Sequence, residues 1–184
     1  YKTEAYYSIL QHELRGEPVQ PASQAILDAY VVPLCLERAN LAGIPVCTWG
    51  ISQAYIPLPA ILYGLNYFAS PSDYFVIREM DQAKEIIKHI TNKGKYPFCY
   101  QKLTDEATIH SGISIFGKTT SPEPSIIQIV ERVYEQFLIP LVTMNFVKTA
   151  DSYLLSSLSP TKYSHLSTDE RTILNAYITG QEFL

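Results

Sequence analysis

The sequence lacks the residue patterns of a disulfide-stabilised or metal-binding protein. Its three cysteines form an odd set without CxxC spacing, so neither a disulfide framework nor a zinc knuckle is expected. Its four histidines are far apart, with no HxH or HxxxH spacing that suits a metal ion. We therefore expect core thiols in a reducing cytoplasm and no metal site.

Strong positive charge and long apolar runs are also missing. A net charge of −4, with scattered basic residues, gives no electrostatic footprint for nucleic acid. The most apolar run, residues 54–69, is interrupted by Pro57, Pro59, Gly64 and Asn66 and is too short to cross a bilayer. Neither nucleic acid nor a membrane is therefore an expected partner.

Length and composition indicate one globular domain over residues 1–184. The chain has 184 residues, of which 47% are hydrophobic and 17% charged, enough for a single well-buried core. The first residue is Tyr1 and not methionine. We therefore expect that this domain is a fragment of a longer chain and lacks upstream sequence.

Helix and strand patterns alternate along most of the chain. This alternation predicts an α/β (or α+β) fold, a layered mixed sheet with flanking helices and a C-terminal β-hairpin plus helix. A capping box at Ser167 starts the last helix. Helices are expected at residues 3–14, 22–40 (interrupted at Pro33), 60–68, 80–90, from 121 and from 168. Strands are expected at residues 44–48, 74–77, 96–103, 109–118, 141–147 and 153–158.

One stretch matches the phosphate-binding GxxxxGK[ST] pattern, with Gly112, Gly117, Lys118 and Thr119. In such a loop, backbone N–H groups wrap the phosphates, the lysine reaches the terminal phosphates and the threonine binds magnesium. Here the four intervening residues alternate like a strand, and the prolines that follow delay the next helix. The segment therefore favours a strand end, with a nucleotide-binding protein as the alternative.

Tyrosine is in excess, with fourteen tyrosines against seven phenylalanines. A tyrosine buries a large ring and keeps a polar tip, which suits interfaces and polar pockets. The excess indicates either a core layer whose hydroxyls reach the rim or a docking face for another domain. The interface candidates are Tyr6, Tyr7, Tyr55, Tyr63, Tyr67 and Tyr74.

Smaller clusters give weaker indications. Ser156, Ser157 and Ser159 near Lys162 could bind an anion, although such a cluster more often lines a hairpin and the following turn. Cys47, at the end of an expected strand, could stand as a nucleophile, but its apolar neighbours favour a core thiol. No catalytic residue is assigned from the residues alone.

Two parts of the chain resemble the RimK-like ATP-grasp N-terminal domain. The first is its N-terminal stretch, through Tyr1, Tyr6, Tyr7, Leu10, Glu13, Arg15, Gly16, Val19 and Pro21. The second comprises Phe116 to Thr119, Phe137, Pro140 to Val142, Phe146 and Leu155 to Ser157. Residues 30–112 carry none of the family's motifs, and Ala5 and Glu17 depart from its pattern.

The resemblance implies a non-catalytic accessory domain of a RimK-type ligase, which joins a carboxylate to an amine through an acyl-phosphate. ATP and magnesium would then bind only in an associated ATP-grasp catalytic domain, in the same chain or in a homo-oligomer. The chain alone would not be an enzyme. It would dock on the catalytic core and shape substrate access. A free-standing small-molecule-binding or oligomerising α/β protein is the remaining alternative.

Overall fold

A computed structural model describes residues 3–180, so Tyr1 of the N-terminal resemblance lies outside the described residues. The expected α/β (or α+β) class and the C-terminal hairpin followed by a helix are confirmed. The helices are α1 (Glu4–Leu14), α2 (Ser23–Tyr30), α3 (Val32–Leu41), α4 (Met80–Ile90), α5 (Pro124–Phe137) and α6 (Thr168–Ile178), with a short 3-10 helix at Tyr163–His165. The strands are β1 (Trp49–Ser52), β2 (Ala60–Gly64), β3 (Tyr74–Ile77), β4 (Phe98–Lys102), β5 (Thr108–Ile115), β6 (Leu141–Lys148) and β7 (Tyr153–Pro160).

The strands form two antiparallel sheets where the sequence predicted one mixed sheet. One sheet has four strands in the order β1-β4-β2-β3, and the other has three in the order β5-β6-β7. Apolar side chains of both sheets, among them Ile61, Cys99 and Val147, pack together in one core cluster. The two sheets therefore face each other across a shared interior.

Helices cover the outer faces of this pair of sheets. The cluster on the outer face of the three-stranded sheet joins strand residues such as Phe146 and Leu155 to α3 and α5. On the four-stranded sheet, α4 packs through Ala83 and Ile90. At one end of β5, Ile115 packs with Leu174 of α6. In this layered arrangement, strand side chains of the two sheets meet in the interior between the sheets.

Local chemistry explains several helix boundaries. The Ser167 hydroxyl accepts the Glu170 N–H while the Glu170 carboxylate accepts the Ser167 N–H, which confirms the capping box. The expected interruption near Pro33 separates α2 from α3 at Val31, whose extended backbone (φ −97°, ψ 102°) ends the first helix. Proline is tolerated there because N–H groups in the first turn of a helix have no intrahelical acceptor, so the N–H that proline lacks is not needed.

Two expected elements were wrong. Residues 60–68 were expected to be a helix because Pro57 and Pro59 resemble a helix start, but β2 (Ala60–Gly64) is a strand. Its residues Ala60 to Tyr63 are all buried, so both faces are apolar and the alternation that identifies a strand is absent. The second is the strand expected at residues 44–48, because the strand in this part of the chain begins only at Trp49, as β1 (Trp49–Ser52).

No helix within residues 3–180 combines the length and the apolar character needed to cross a membrane.

Candidate functional site

A β-bulge in β7 brings adjacent serines into the interior between the sheets. Asn145 of β6 pairs with Ser157, but the next residue, Phe146, pairs with Leu155. Ser156 is therefore the extra residue on the bulged strand. An extra residue interrupts the strict alternation of side chains and redirects them, which is why bulges often lie next to functional sites.

A chain of hydrogen bonds crosses the three-stranded sheet at this bulge. The Ser111 hydroxyl donates to Asn145 Oδ1 at 2.6 Å, and Asn145 Nδ2 donates to Ser157 Oγ at 3.0 Å. The Ser157 hydroxyl donates in turn to the carbonyl of Pro71 at 3.1 Å. Pro71 lies in the β2–β3 connection, so this connection is held over the bulge by a polar contact.

The four-stranded sheet completes the cluster through Tyr63 and Gln101. The Tyr63 hydroxyl lies 2.8 Å from Ser156 Oγ, and Gln101 Nε2 donates to the Ser156 carbonyl at 2.8 Å. Both side chains are fully buried, and burial raises the pKa of Tyr63, so its hydroxyl stays neutral. Gln101 Oε1 has no hydrogen-bond partner within the described residues. Six residues form what we call the interior polar cluster: the buried Tyr63, Gln101, Asn145, Ser156 and Ser157, and Ser111, which is exposed at the outer end of the hydrogen-bond chain.

The interior polar cluster contains only hydroxyl and amide groups. It therefore carries no charge and no group able to act as a general base near neutral pH. Across residues 3–180, no group of three or more His, Cys, Asp or Glu side chains is arranged to hold a metal ion. Chemically, this arrangement can orient neutral hydrogen-bonding groups.

The three cysteines are buried and separate from this cluster's hydrogen bonds. Burial raises the pKa of Cys47 to about 11, and that of Cys35 and of Cys99 to about 12. A thiol with such a pKa is protonated at neutral pH and is a poor nucleophile. The geometry therefore gives Cys47 the environment of a core thiol.

The GxxxxGK[ST] segment forms a strand and a tight turn. Gly112 pairs with Met144 inside the β5–β6 ladder. Phe116 (φ 49°) and Gly117 (φ 78°) both have positive φ, and Ile115 and Lys118 exchange two backbone hydrogen bonds of 2.9 Å around them. Positive φ at both central residues is typical of a type I′ hairpin turn. The backbone therefore turns back on itself and forms no open loop around a phosphate.

The basic and hydroxyl groups of the segment also point elsewhere. Lys118 Nζ lies 3.6 Å from a carboxylate oxygen of Glu131 on α5, with both side chains about half exposed. Thr119 Oγ1 accepts the Ser121 N–H at 3.3 Å. Because α5 begins only at Pro124, its N-terminal N–H groups are not joined directly to the lysine and threonine.

The six candidate tyrosines do not form a single surface. Tyr63 is fully buried, so it cannot contact a partner, and its place is in the interior polar cluster. Tyr7 and Tyr55 are mostly exposed, and Tyr74 is partly buried with its ring 6.1 Å from that of Tyr63. Tyr6 and Tyr67 come from distant parts of the sequence but line the same cavity.

That cavity has a volume of about 710 Å³ and is partly open to solvent. Its walls come from α1, the α2–α3 junction and the β2–β3 connection. A smaller cavity of about 390 Å³ lies on the other side of this connection and includes Asp73 and His89. Both cavities share Gly64, Asn66, Phe68 and Ala69, so the connection separates them.

Sequence reasoning noted the serines of β7 but missed the site that they help to form. The signal was the pair of consecutive polar residues, Ser156 and Ser157, within a mostly buried strand, because regular alternation would send their side chains to opposite faces of the sheet. Gln101 gave no comparable signal, because one polar residue in a short strand is ordinary. Ser159, also in the noted group, is buried, whereas Lys162 lies beyond the end of β7.

Comparisons with known proteins place the fold. No family model and no curated protein matches the sequence. A RimK-domain ATP-grasp protein from Sphaerobacter thermophilus is similar in structure, with a TM-score of 0.71 and 15% identity. The ATP-grasp ligase PsnB, complexed with a minimal precursor, Mg and ADP, gives 0.64 and 14%. D-alanine–D-alanine ligase from Helicobacter pylori gives 0.65 and 12%.

These similarities extend over almost the whole of this chain but over only part of each of the three proteins. They cover 97%, 96% and 91% of this chain, in the same order. The chain spans 78% of the first protein and 66% of each of the other two. Identities this low establish the fold alone. The chain therefore shares its fold with a large part of each of these three proteins.

Proposed function

We propose that the chain is a non-catalytic domain of a RimK-type ATP-grasp carboxylate–amine ligase in the cytoplasm. It docks on the catalytic ATP-grasp core, in the same chain or in a homo-oligomer, and shapes substrate access. ATP and Mg²⁺ bind to that core and not to this chain. The shared fold supports the association with ligases, and the uncharged interior polar cluster supports the non-catalytic role.

The donor chemistry of the cluster carries the proposal. PsnB has been solved with Mg and ADP, so the fold can accommodate a magnesium nucleotide. Mg²⁺ binding relies on carboxylate and phosphate oxygens, and phosphates are bound by Lys, Arg or backbone N–H groups. The interior polar cluster offers only hydroxyls and amides. It does not fit a magnesium nucleotide, whose charges would be buried without compensation.

The cavities lead to the same expectation. Within residues 3–180, no Asp, Glu, Lys, Arg or His lines the larger cavity. The smaller one offers a single carboxylate, Asp73, and one imidazole, His89. One carboxylate does not make the oxygen-rich octahedral environment that Mg²⁺ demands. Neither cavity thus combines ligands for a metal with cations for a triphosphate.

The first test is nucleotide binding by isothermal titration calorimetry, with ATP and ADP in the presence and absence of Mg²⁺. We expect no binding at millimolar nucleotide, whereas an active ATP-grasp ligase measured in parallel binds. Lys118→Ala should change nothing, because Lys118 lies on the surface beside Glu131. Magnesium-dependent ATP binding would contradict the non-catalytic role, and its loss in Lys118→Ala would support the nucleotide-binding alternative.

The second test concerns docking. The exposed tyrosines, Tyr7 and Tyr55, are the candidate contacts, and Tyr→Ser at either should weaken association. Association is measured by light scattering after size exclusion, for the chain alone and with a RimK-type catalytic core. Leu41→Ser is the control, since Leu41 is even more exposed than these tyrosines but is outside the candidate faces. If the chain neither self-associates nor binds the core, the docking role is wrong.

A further inference from the structure

The larger cavity is enclosed by three separate parts of the fold. Tyr6 and Ile9 of α1 form one wall, and Tyr30 and Leu34 at the α2–α3 junction form a second. The β2–β3 connection, which includes Phe68, forms a third. A volume of about 710 Å³ lies within the range of small-molecule sites, roughly 300–1,000 Å³. The cavity is thus a concave site and not a flat apolar face.

The wall from α1 has no other evident packing role. None of the residues of α1 is fully buried, so the helix adds little to the core. Its partly buried Tyr6 and Ile9 lie three residues apart, on one face, and line the cavity. Polar contacts hold the helix in place, because the Glu13 carboxylate accepts hydrogen bonds from the N–H and hydroxyl of Ser23 at 2.8 and 2.6 Å.

The rim of the cavity exposes aromatic surface. Phe68 is 86% exposed and Tyr67 is 61% exposed, and their rings pack edge to face with centroids 5.4 Å apart. Ile51 of β1 and Leu34 of α3, which also line the cavity, are about half exposed. Binding of an apolar molecule would remove this surface from water, which is the main source of affinity at such sites.

The chemistry of the lining restricts the ligand. The described lining residues carry no formal charge, so a charged ligand would lose its hydration without gaining a counter-charge. Aromatic rings on the walls, from Tyr6, Tyr30 and Tyr67, favour a flat aromatic ligand through stacked or edge-to-face contacts. The hydroxyl of Tyr30 stays neutral because burial raises its pKa, and it can therefore donate a hydrogen bond.

The geometry points to a binding site for a neutral, mainly aromatic small molecule in the cavity between α1, α3 and the β2–β3 connection. This site does not depend on the proposed docking role, because neither of the docking candidates, Tyr7 and Tyr55, is among its lining residues. A small molecule fits better than a protein surface, since the site is enclosed on three sides and lacks the flat shape of a protein interface.

The experiment uses two probes with the same aromatic skeleton. N-phenyl-1-naphthylamine is neutral, and 8-anilino-1-naphthalenesulfonate adds one negative charge. Both become fluorescent when they leave water, so each is titrated against the folded protein. We expect saturable binding at one site, with the neutral probe bound at least about tenfold more tightly because the walls offer the sulfonate no counter-charge.

Two pairs of variants locate the probe. Ile9→Glu on α1 and Leu34→Glu on α3 each place a charge in the wall and should weaken binding at least about tenfold. Ser8→Glu and Leu41→Glu place the same charge on the same helices at exposed positions outside the lining. These controls should bind within about twofold of the unmodified protein. The α3 variant Leu34→Glu and its control Leu41→Glu keep the test informative if Ile9→Glu detaches α1.

Four results would overturn the site. The first is the absence of saturable binding of the neutral probe. The second is equal affinity for the two probes, and the third is unchanged affinity in both wall variants. The fourth is a stable dimer, detected by light scattering, that dissociates in Leu34→Glu, since the cavity would then be covered by a second copy. Magnesium-nucleotide binding would leave this site untouched, so the two proposals fail separately.

Discussion

Both the backbone conformation at Gly117 and the packing around it require a residue without a Cβ atom. Its φ is +78°, in the left-handed region, where a Cβ costs about 1–2 kcal/mol. A Cβ built there would also lie 3.0 Å from two atoms of the Tyr134 side chain. The turn packs Phe116 against Tyr134 and stacks it on Tyr177 at 4.8 Å, which leaves little freedom to adjust.

We therefore predict that Gly117→Ala lowers the free energy of unfolding by about 2–5 kcal/mol, the sum of backbone strain and overpacking. Gly94→Ala is the matched control, because Gly94 has φ +82° but no atom within 4 Å of a new Cβ. It should cost only about 1–2 kcal/mol. Urea unfolding followed by circular dichroism measures both. Equal losses would show that Tyr134 moves aside at no cost.

The cysteines give a second prediction at this scale. Because burial raises the pKa of all three thiols, we expect none of them to react with Ellman's reagent at pH 8 in the folded protein. All three should react in denaturant. Rapid reaction of one thiol in the folded state, identified by peptide mapping, would reveal local opening around that cysteine. Reaction of Cys47 alone would restore the hypothesis of a nucleophile.

At the scale of the element, α1 depends on Glu13. Its carboxylate accepts two hydrogen bonds from Ser23 at the start of α2. The N-cap residue of α2, Ala22, has no side-chain acceptor for these N-terminal N–H groups. We predict that Glu13→Gln loosens α1 and speeds tryptic cleavage after Arg15. Glu4→Gln is the control in the same helix. Unchanged cleavage in Glu13→Gln would mean that apolar contacts alone hold α1.

The same contact predicts a pH dependence. Hydrogen bonds from the Ser23 side chain and then from its backbone lower the pKa of Glu13 below its ordinary value of 4.5. Stabilisation by the carboxylate is therefore complete above that value and is lost as the pH falls through the lower, folded pKa. The amide shift of Ser23, followed by NMR, should titrate below pH 4.5. Titration at or above this value would contradict the contact.

How far the sequence determines the elements depends on the kind of signal. Capping, turn and amphipathic signals are local, so α4, α6 and the β6–β7 hairpin were predicted correctly. In β2 (Ala60–Gly64) the decisive fact is burial of both faces between two layers, which only the assembled fold supplies. The prolines before it then favoured the wrong element. The GxxxxGK[ST] match could be interpreted correctly because the strand-like alternation of its intervening residues is present in the sequence itself.

At the scale of the whole molecule, the candidate site exists only because two sheets meet. Tyr63 and Gln101 come from one sheet and Ser156 from the other, and the bonded partners are 93 and 55 positions apart in the sequence. No spacing rule links such distant residues, so the sequence could indicate the serines but not their partners. The pairing of strands into two separate sheets escaped prediction for the same reason.

Removing the contact between Tyr63 and Ser156 tests whether the interior polar cluster stabilises the packing of the sheets. We predict that Tyr63→Phe lowers the free energy of unfolding by about 0.5–1.5 kcal/mol, the net value of one hydrogen bond. Tyr74→Phe, which removes a hydroxyl from the neighbouring, partly buried ring, should change it by less than about 0.5 kcal/mol.

A double-mutant cycle isolates the contact from other effects of the lost hydroxyl. In a Ser156→Ala background the hydroxyl of Tyr63 has already lost its partner at 2.8 Å, so Tyr63→Phe should cost less there than in the unmodified protein. The cycle is measured by urea unfolding of the four proteins. An equal cost in both backgrounds would mean that the Tyr63 hydroxyl draws its stabilisation from elsewhere in the interior. A lower cost in the Ser156→Ala background assigns to this hydrogen bond a direct part in holding the two sheets together.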